Sequence, residues 1–317
     1  ILRDKAFFFG AFEGLREHLG LTLVEPVPSM AARRGAFLPA GTRLNPAVLP
    51  YLDLIPQPTL DNPTGEKATW QGTFNQQSRL DTFNARVDMN LSRNDSVFAR
   101  YTQNDSDLLF INSETFPNFP NKGRNNQKFL TLNGTRIFSS NVVNSARFAF
   151  NRTTPVEDPA PINGYENLAF IPGQIVGDFL ISGYKRFGSD RNTPRSFFQN
   201  TVQFADDLTV IRGGHALKFG ANIEHFDIRG NSSSRNRGEF TINTFSDFLQ
   251  GVARDFSGLA PGESDTLRHH TQWLFGFYGQ DDWRPVNDLT LNLGVRYEFV
   301  TTPNEVDGKI TNVRSVT

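Results

Sequence analysis

Two pairs of adjacent carboxylates, Asp206-Asp207 and Asp281-Asp282, and one pair of adjacent imidazoles, His269-His270, are the side chains whose type and spacing come nearest to chemistry. Paired carboxylates would suit glycoside hydrolysis, where one acts as acid and the other as base or nucleophile. Each pair, however, lies in a stretch that alternates apolar and polar residues, and neighbours on a strand point to opposite faces. Neither pair then converges on one substrate, and both fall near strand ends beside turns. The same divergence separates His269 from His270. With His18, His215 and His225 scattered, no cysteine and no carboxylate at ligand spacing, the imidazoles build no recognisable metal centre.

Other motifs fail on context. Gly213-Gly214 belongs to no phosphate-binding GxxxxGK[ST] or GxGxxG. No GxSxG elbow occurs. The triplets beginning at Asn133 and Asn151 match a glycosylation acceptor, which an Asn-rich chain produces by chance. Trp273, Trp283, Tyr101, Tyr278 and Tyr297 read as membrane-interface girdles or packing rings rather than ligand platforms. No catalytic, cofactor-binding or metal-binding residue is assigned, no cofactor is expected, and the substrate-contacting residues are unknown. The chain reads as a non-enzyme.

The elements that hold these residues are legible from the alternation. In Arg79–Gln103, Phe83, Ala85, Val87, Met89 and Leu91 share one face and Thr82, Asn84, Arg86, Asp88 and Asn90 the other, a period of two that marks a strand. Ser92-Arg93-Asn94-Asp95 turns the chain, and Val97, Ala99 and Tyr101 return. Lys128–Asn151 repeats the plan about Ser139-Ser140-Asn141, and Phe198–Ile228 repeats it about Arg212-Gly213-Gly214. Thr271–Thr301 is the clearest, with Trp273, Phe275, Phe277 and Trp283 before the turn and Leu289, Leu291, Leu293, Val295, Tyr297 and Phe299 after it. Lys5–Glu13 reads as the second arm of a fifth hairpin whose turn ends at Arg3-Asp4-Lys5. Between the hairpins lie long segments rich in Pro, Asn, Ser and Gly: Leu15–Ser78, Asp105–Asn126, Thr153–Ser196 and Gly230–His270. Thr244–Gly251 alone among them reads as a helical turn.

Composition agrees. Of 317 residues, 30 are Phe, enough apolar surface to argue against disorder, and none is Cys, which excludes a disulfide scaffold. No apolar run reaches the eighteen or so residues of a membrane helix. A net charge of -1 provides no field for nucleic acid, and none is expected as a partner. The expected fold is all-β: an antiparallel up-and-down sheet of nine strand segments, with short turns at one end and long loops at the other. Strands of about ten residues would span ~23 Å when tilted, close to the ~25 Å apolar band of an outer-membrane barrel. A solvated β-sandwich shares the period, but the alternation of short and long connections favours the barrel. The first residues carry no initiator Met or secretory signal, and both ends read as internal to a longer protein.

Four stretches resemble, in order, the Oar-like TonB-dependent receptors: RDKAFFFGAFEGLRE (Arg3–Glu17), RLDTFNARVDMNLSRNDSVFARYT (Arg79–Thr102), NTVQFADDLTVIRGGHALKFGANIEH (Asn200–His225) and FGFYGQDDWRPVNDLTLNLGVRYEFVTTPNEVDG (Phe275–Gly308). The resemblance implies that residues 1–317 are one partial barrel domain, an early part of a wall of about twenty-two strands. The plug, the TonB box, the amino-terminal carboxypeptidase-regulatory-like domain and the later strands are expected outside it. It implies the outer membrane of a Gram-negative bacterium, ligand capture by the outer loops and TonB-energised uptake. The partners would be outer-membrane lipid, an unidentified ligand and the TonB complex. The rival is a non-transporting surface or secreted β-protein of adhesin type. The piece itself is expected to be an open, curved sheet. Phe83, Val87, Phe148, Phe204, Phe275, Phe277, Leu291, Leu293 and Val295 should face lipid, with Arg86, Arg147, Arg296 and Glu298 facing the lumen.

Overall fold

A computed structural model describes residues 5–160, 166–232, 234–259 and 264–310. Nine long strands form one antiparallel sheet in chain order: β1 (Ala6–Pro28), β2 (Lys67–Asn90), β3 (Asp95–Phe110), β4 (Asn121–Ser139), β5 (Val142–Pro159), β8 (Arg195–Arg212), β9 (His215–Ser232), β12 (Leu267–Val286) and β13 (Leu289–Val300). After β13, the two-residue β14 (Asn304–Glu305) rejoins the outer end of β12 at His270 and Thr271. Among the described residues β1 and β13 do not pair with each other, so the sheet is open. Arg3 and Asp4, the expected turn before β1, lie outside the described residues.

The numbers missing from this series, β6 (Asp178–Ile181), β7 (Phe187–Gly188), β10 (Glu239–Ile242) and β11 (Asp255–Ser257), belong to a second sheet of four short strands. It is built wholly from the long connections, and so are α1 (Met30–Arg33), α2 (Leu49–Leu52) and α3 (Phe245–Gln250). The expected helical turn at Thr244–Gly251 is α3. Thr244 Oγ1 accepts from the Asp247 amide at 3.0 Å, and Gly251 closes the helix at φ 73°, where an L side chain is disfavoured.

The short turns form for local reasons. Ser92 Oγ accepts from the amides of Asn94 and Asp95, each at 3.0 Å, and Ser139 Oγ accepts from the Asn141 amide at 3.2 Å. Gly213 sits at φ 60°.

One expectation is corrected. The strands are not about ten residues long but 12 to 24, and the loops are correspondingly shorter. β1 continues through Leu15 to Pro28 and β2 begins at Lys67; β3 reaches Phe110, β5 reaches Pro159, and β9 reaches Ser232. On β3 and β4 the extra residues include stretches polar on both faces, as in Asn104, Asp105, Asn125 and Asn126, which lack the alternation by which a strand is recognised. On β1 Leu15, Leu19, Leu21, Leu23 and Val27 do alternate, but on the face opposite to Phe8 and Phe12. Cross-strand polar bonds stitch the polar stretches instead: Asn104 to Gln127 at 3.3 Å, and the Thr154 hydroxyl to the Asn126 carbonyl at 3.1 Å.

Register fixes the faces. One row of paired residues runs from Met89 through Val97, Gly134, Ala146, Asp206, Ala221 and Phe277 to Tyr297. Counted from this row, the short turns begin about two residues away at Leu91, five at Ser139, six at Arg212 and nine at Val286. Turns sharing one level therefore require a drift of about seven residues over six strand steps, a tilt of about 40°. Transmembrane barrels tilt their strands by this much. Phe83, Val87, Phe148, Phe204, Phe275, Phe277, Leu291, Leu293 and Val295 all lie on the row's face, and Arg86, Arg147, Arg296 and Glu298 on the other. On β12 the outward Trp273 and Trp283 are about ten residues apart, or ~25 Å along the membrane normal at that tilt.

Candidate functional site in the outer loops

The hydrophobic core of this protein is not in the long sheet. It gathers Val48, Leu52, Leu54 and Ile55 from the first loop, Phe116 and Phe119 from the second, Val176, Phe179, Ile181, Tyr184 and Phe187 from the third, and Ile242, Phe245, Phe248 and Leu249 from the fourth. Val27 of β1 and Ala68 of β2 complete it; both lie on the Arg86 face, so the loops fold inward over the lumen side. Four connections that could each have waved free share one buried core, a cap on the end of the sheet.

Polar bonds fix each loop to the next. In the first loop Arg33 donates to the carbonyls of Leu52 (2.9 Å) and Ile55 (3.2 Å), joining α1 to α2. Asn118 of the second donates to the Leu54 carbonyl at 2.9 Å. The Arg186 amide donates to the Glu114 carbonyl, and the Phe116 amide to the Arg186 carbonyl, each at 2.9 Å. β6 and β10 pair in parallel and bind the third loop to the fourth. The Asn45 amide donates to the Leu249 carbonyl at 2.8 Å, returning to the first. Lys185 meets Glu25 of β1 at 2.7 Å.

A charge cluster sits inside this cap. The Arg186 guanidinium binds both Asp178 and Glu239, and Glu239 also meets Arg235 at 2.8 Å and Arg191 at 3.5 Å. Burial pushes the Asp178 carboxyl up to about 7 despite the opposing pull of Arg186. Burial also works against an ionised Glu239, yet hydrogen bonds from Arg235 and Arg186 hold it below the usual carboxylate range. Burial lowers Arg237 to about 10; its guanidinium donates to the Thr193 carbonyl.

The cap's aromatic rings form a continuous group. Phe179 stacks on Phe187 with centroids 4.7 Å apart, and Phe170 meets Phe179 edge-on at 5.0 Å. Tyr51, Phe179, Phe240 and Phe248 border a cavity of about 260 Å³ with no charged side chain in its wall. A second cleft, of about 350 Å³, lies on the lumen face of the long sheet, lined by Arg147, Gln203, Asp207, Glu224, Tyr278 and Arg296. Tyr278 reaches over Gly220 to donate to Asp207 at 2.7 Å; a Cβ at Gly220 would lie 2.0 Å from the Tyr278 Cε1.

The sequence-derived pairs are placed apart. Asp206 lies on the lipid face, bound by Asn144 at 2.8 Å, whereas Asp207 faces the lumen. Asp281 lies on the lipid face against His215 at 2.7 Å, and Asp282 on the other. His269 meets Asp227 at 2.8 Å; His270 points oppositely. Tyr278 is a correction to the girdle reading: it is a lumen residue. Trp273, Trp283, Tyr101 and Tyr297 do lie on the lipid face, Trp283 stacking on His215 and Trp273 packing on His225. The cap core was missed. Its signal was the cluster of Phe within loops otherwise read by their Pro, Asn and Gly.

The family model for the outer membrane beta barrel domain matches residues 1–317. This chain belongs to that family. As an outer membrane β-barrel protein it resides in the cell outer membrane. No curated protein matches the sequence. Among solved structures it is similar to the outer membrane transporter YddB from Escherichia coli, at 11% identity and TM-score 0.43, over 74% of this chain and 29% of that one. It is similar to FpvA of P. aeruginosa, solved bound to heterologous pyoverdines, at 13% identity and TM-score 0.45, over 95% and 38%. It is also similar to BauA, the ferric preacinetobactin receptor from Acinetobacter baumannii, at 12% identity and TM-score 0.43, over 95% and 42%. The chain thus spans well under half the length of each.

Proposed function

We propose that this chain is part of the wall and outer cap of a TonB-dependent receptor, and that the cap takes up ligand for energised passage through the full-length barrel. The observation that carries this reading is the common core of the four outer loops over the lumen side. Loops that merely connected strands would have no reason to bury Phe116, Phe187, Phe245 and Phe248 together. A ligand-gathering mouth needs such a rigid frame, because binding groups held in place lose less entropy on capture. The ordered resemblance from Arg3 to Gly308 adds the TonB-dependent mechanism and the TonB complex as partner. No acid, base and nucleophile converge among the described residues, and the reading is of a receptor rather than an enzyme.

The test uses the full-length gene in its own bacterium. Solutes lost from the medium are compared between a deletion strain and the complemented strain, with and without a protonophore. Depletion of specific solutes only in the complemented strain, abolished by the protonophore, is expected. Identical depletion in both strains would overturn the transport reading. Surface binding without depletion would favour a non-transporting binding protein.

A further inference from the structure

We propose that the cavity between the first and fourth outer loops binds a small uncharged aromatic molecule, one or two fused rings in size, that carries one hydrogen-bond donor. The proposal rests on the reading of the cap as the part that takes up ligand, and it names the class of ligand.

The walls come from two directions. Phe179 and Phe240 are paired on β6 and β10, and with Ile242 and Phe248 they line one side. Tyr51 of α2 stands against Phe179 with centroids 5.2 Å apart. Phe179, Ile242 and Phe248 are buried, whereas Ala47, Val252 and Ala253, also in the wall, are exposed. The cavity is therefore a recess that opens to solvent over a floor belonging to the cap core. Its rim is held in place. Asn45 Oδ1 accepts from the Ala47 amide at 2.9 Å, and the Asn45 backbone amide donates to the Leu249 carbonyl at 2.8 Å. Gly251, at φ 73°, passes so close that a Cβ there would lie 2.5 Å from Asn45 Nδ2. Walls fixed in this way lose little entropy on capture.

The chemistry of the wall selects the guest. Four aromatic rings line it and no charged side chain does. An ion entering would give up its water and find no partner, and a sugar or a peptide would leave most of its polar groups unpaired. A flat ring would instead continue the edge-to-face contacts already present, such as Phe179 on Phe248 at 84°. Size sets the limit: an apolar cavity of about 150 Å³ takes one benzene, so about 260 Å³ takes a fused pair of rings and little more. The Tyr51 hydroxyl has no hydrogen-bond partner among the described residues. Burial raises it above the ordinary phenol range, so it stays neutral and is left to accept from an N–H or O–H on the guest.

The full-length protein, reconstituted in lipid nanodiscs, is dialysed against labelled indole, with protein-free nanodiscs correcting for partition into lipid. The wild type should bind one equivalent saturably, and should bind indole-3-acetate, an anion at neutral pH, more than about tenfold more weakly. Ala253→Trp, which fills the mouth, should abolish saturable binding, and Ala253→Ser should keep it. Tyr51→Phe keeps the ring and loses the hydroxyl. It should weaken indole about fivefold, the scale of one hydrogen bond, and leave 1-methylindole, which has no N–H, unaffected. Unchanged resistance of the cap to proteolysis shows that each variant is folded. No saturable indole binding by the wild type, equal affinity for indole and indole-3-acetate, or undiminished binding by the folded Ala253→Trp variant would overturn the proposal. An unchanged indole affinity in Tyr51→Phe would overturn the donor contact. Binding here needs no energy source. A protein that binds indole yet depletes no solute would therefore sink the transport reading and leave this site standing, and the reverse result would sink this site alone.

Discussion

Gly220 is the position at which a single methyl group has the clearest consequence. The Tyr278 ring covers it to reach Asp207 across two strands, leaving no room for a Cβ. Gly220→Ala should displace the ring, break the bond and lower stability by about 1–3 kcal/mol, the usual scale of overpacking. Tyr278→Ala in the same chain should recover part of that loss. The heat-modifiability midpoint of the full-length protein measures both, and an unchanged midpoint for Gly220→Ala would show that the ring has another resting place. Glycine's role here was not readable from sequence: Gly220 and Tyr278 are far apart in the chain, and only register brings them together. The divergence of Asp206 from Asp207 and of Asp281 from Asp282, by contrast, followed from the strand period alone. That period did not reveal that Asn144 and His215 would partner the two carboxylates left on the lipid face.

Among the elements, those made by local chemistry were legible and those made by tertiary pairing were not. The apolar stretch of each strand declared itself by alternation, and α3 by Thr244 and Gly251. Thr244→Ala removes the cap from the Asp247 amide and should speed hydrogen exchange across Phe245–Gln250, with a local loss of about 1 kcal/mol. Unchanged exchange would mean that core packing of Phe245 and Phe248 alone holds the helix. The outer ends of the strands were hidden because on β3 and β4 polar residues occupy both faces, while on β1 the apolar residues Leu15 to Val27 change to the face the cap covers and lie among prolines. The small sheet of the cap was hidden because β6 and β10 are four residues each and pair across a long chain separation. Its charge cluster gives it a pH dependence whose sign is fixed. Asp178 titrates near 4 in an unfolded chain and at about 7 in the cap. Folded cap then binds more protons between those values, so its stability is full below pH 4 and falls as pH rises to about 7. Glu239, held low, contributes in the opposite sense, and its share is lost only as pH falls below the usual carboxylate range. The cap should accordingly resist proteolysis in urea better at pH 5 than at pH 8. Asp178→Asn should remove that difference, and a wild type more resistant at pH 8 would contradict the assignment.

At the scale of the molecule, one chain builds two surfaces with opposite rules. The long sheet has no core of its own: its large apolar residues, such as Phe8, Phe204 and Val295, stay exposed at 72%, 56% and 73%. Those fractions make sense only if something other than water covers that face, and the outer membrane supplies it. The cap, outside the hydrocarbon, buries its Phe as a water-soluble domain would. Isolated residues 1–317, with lipid-facing Phe bare and both sheet edges unpaired, should aggregate in detergent-free buffer. A soluble monomer there would favour the sandwich. The direct test is to place a charge on each face of β13. Val295 lies on the lipid face with Gly279 opposite, and Asn292 on the lumen face opposite Asp282. Arg at a lipid-facing position near the midplane costs about 2–4 kcal/mol, whereas a wet lumen removes most of that penalty. Assembly of the full-length protein, read as the heat-modifiable fraction on gels, should fall sharply for Val295→Arg and stay near wild type for Asn292→Arg; equal yields for the two variants would contradict the lipid-facing assignment on which the whole account rests.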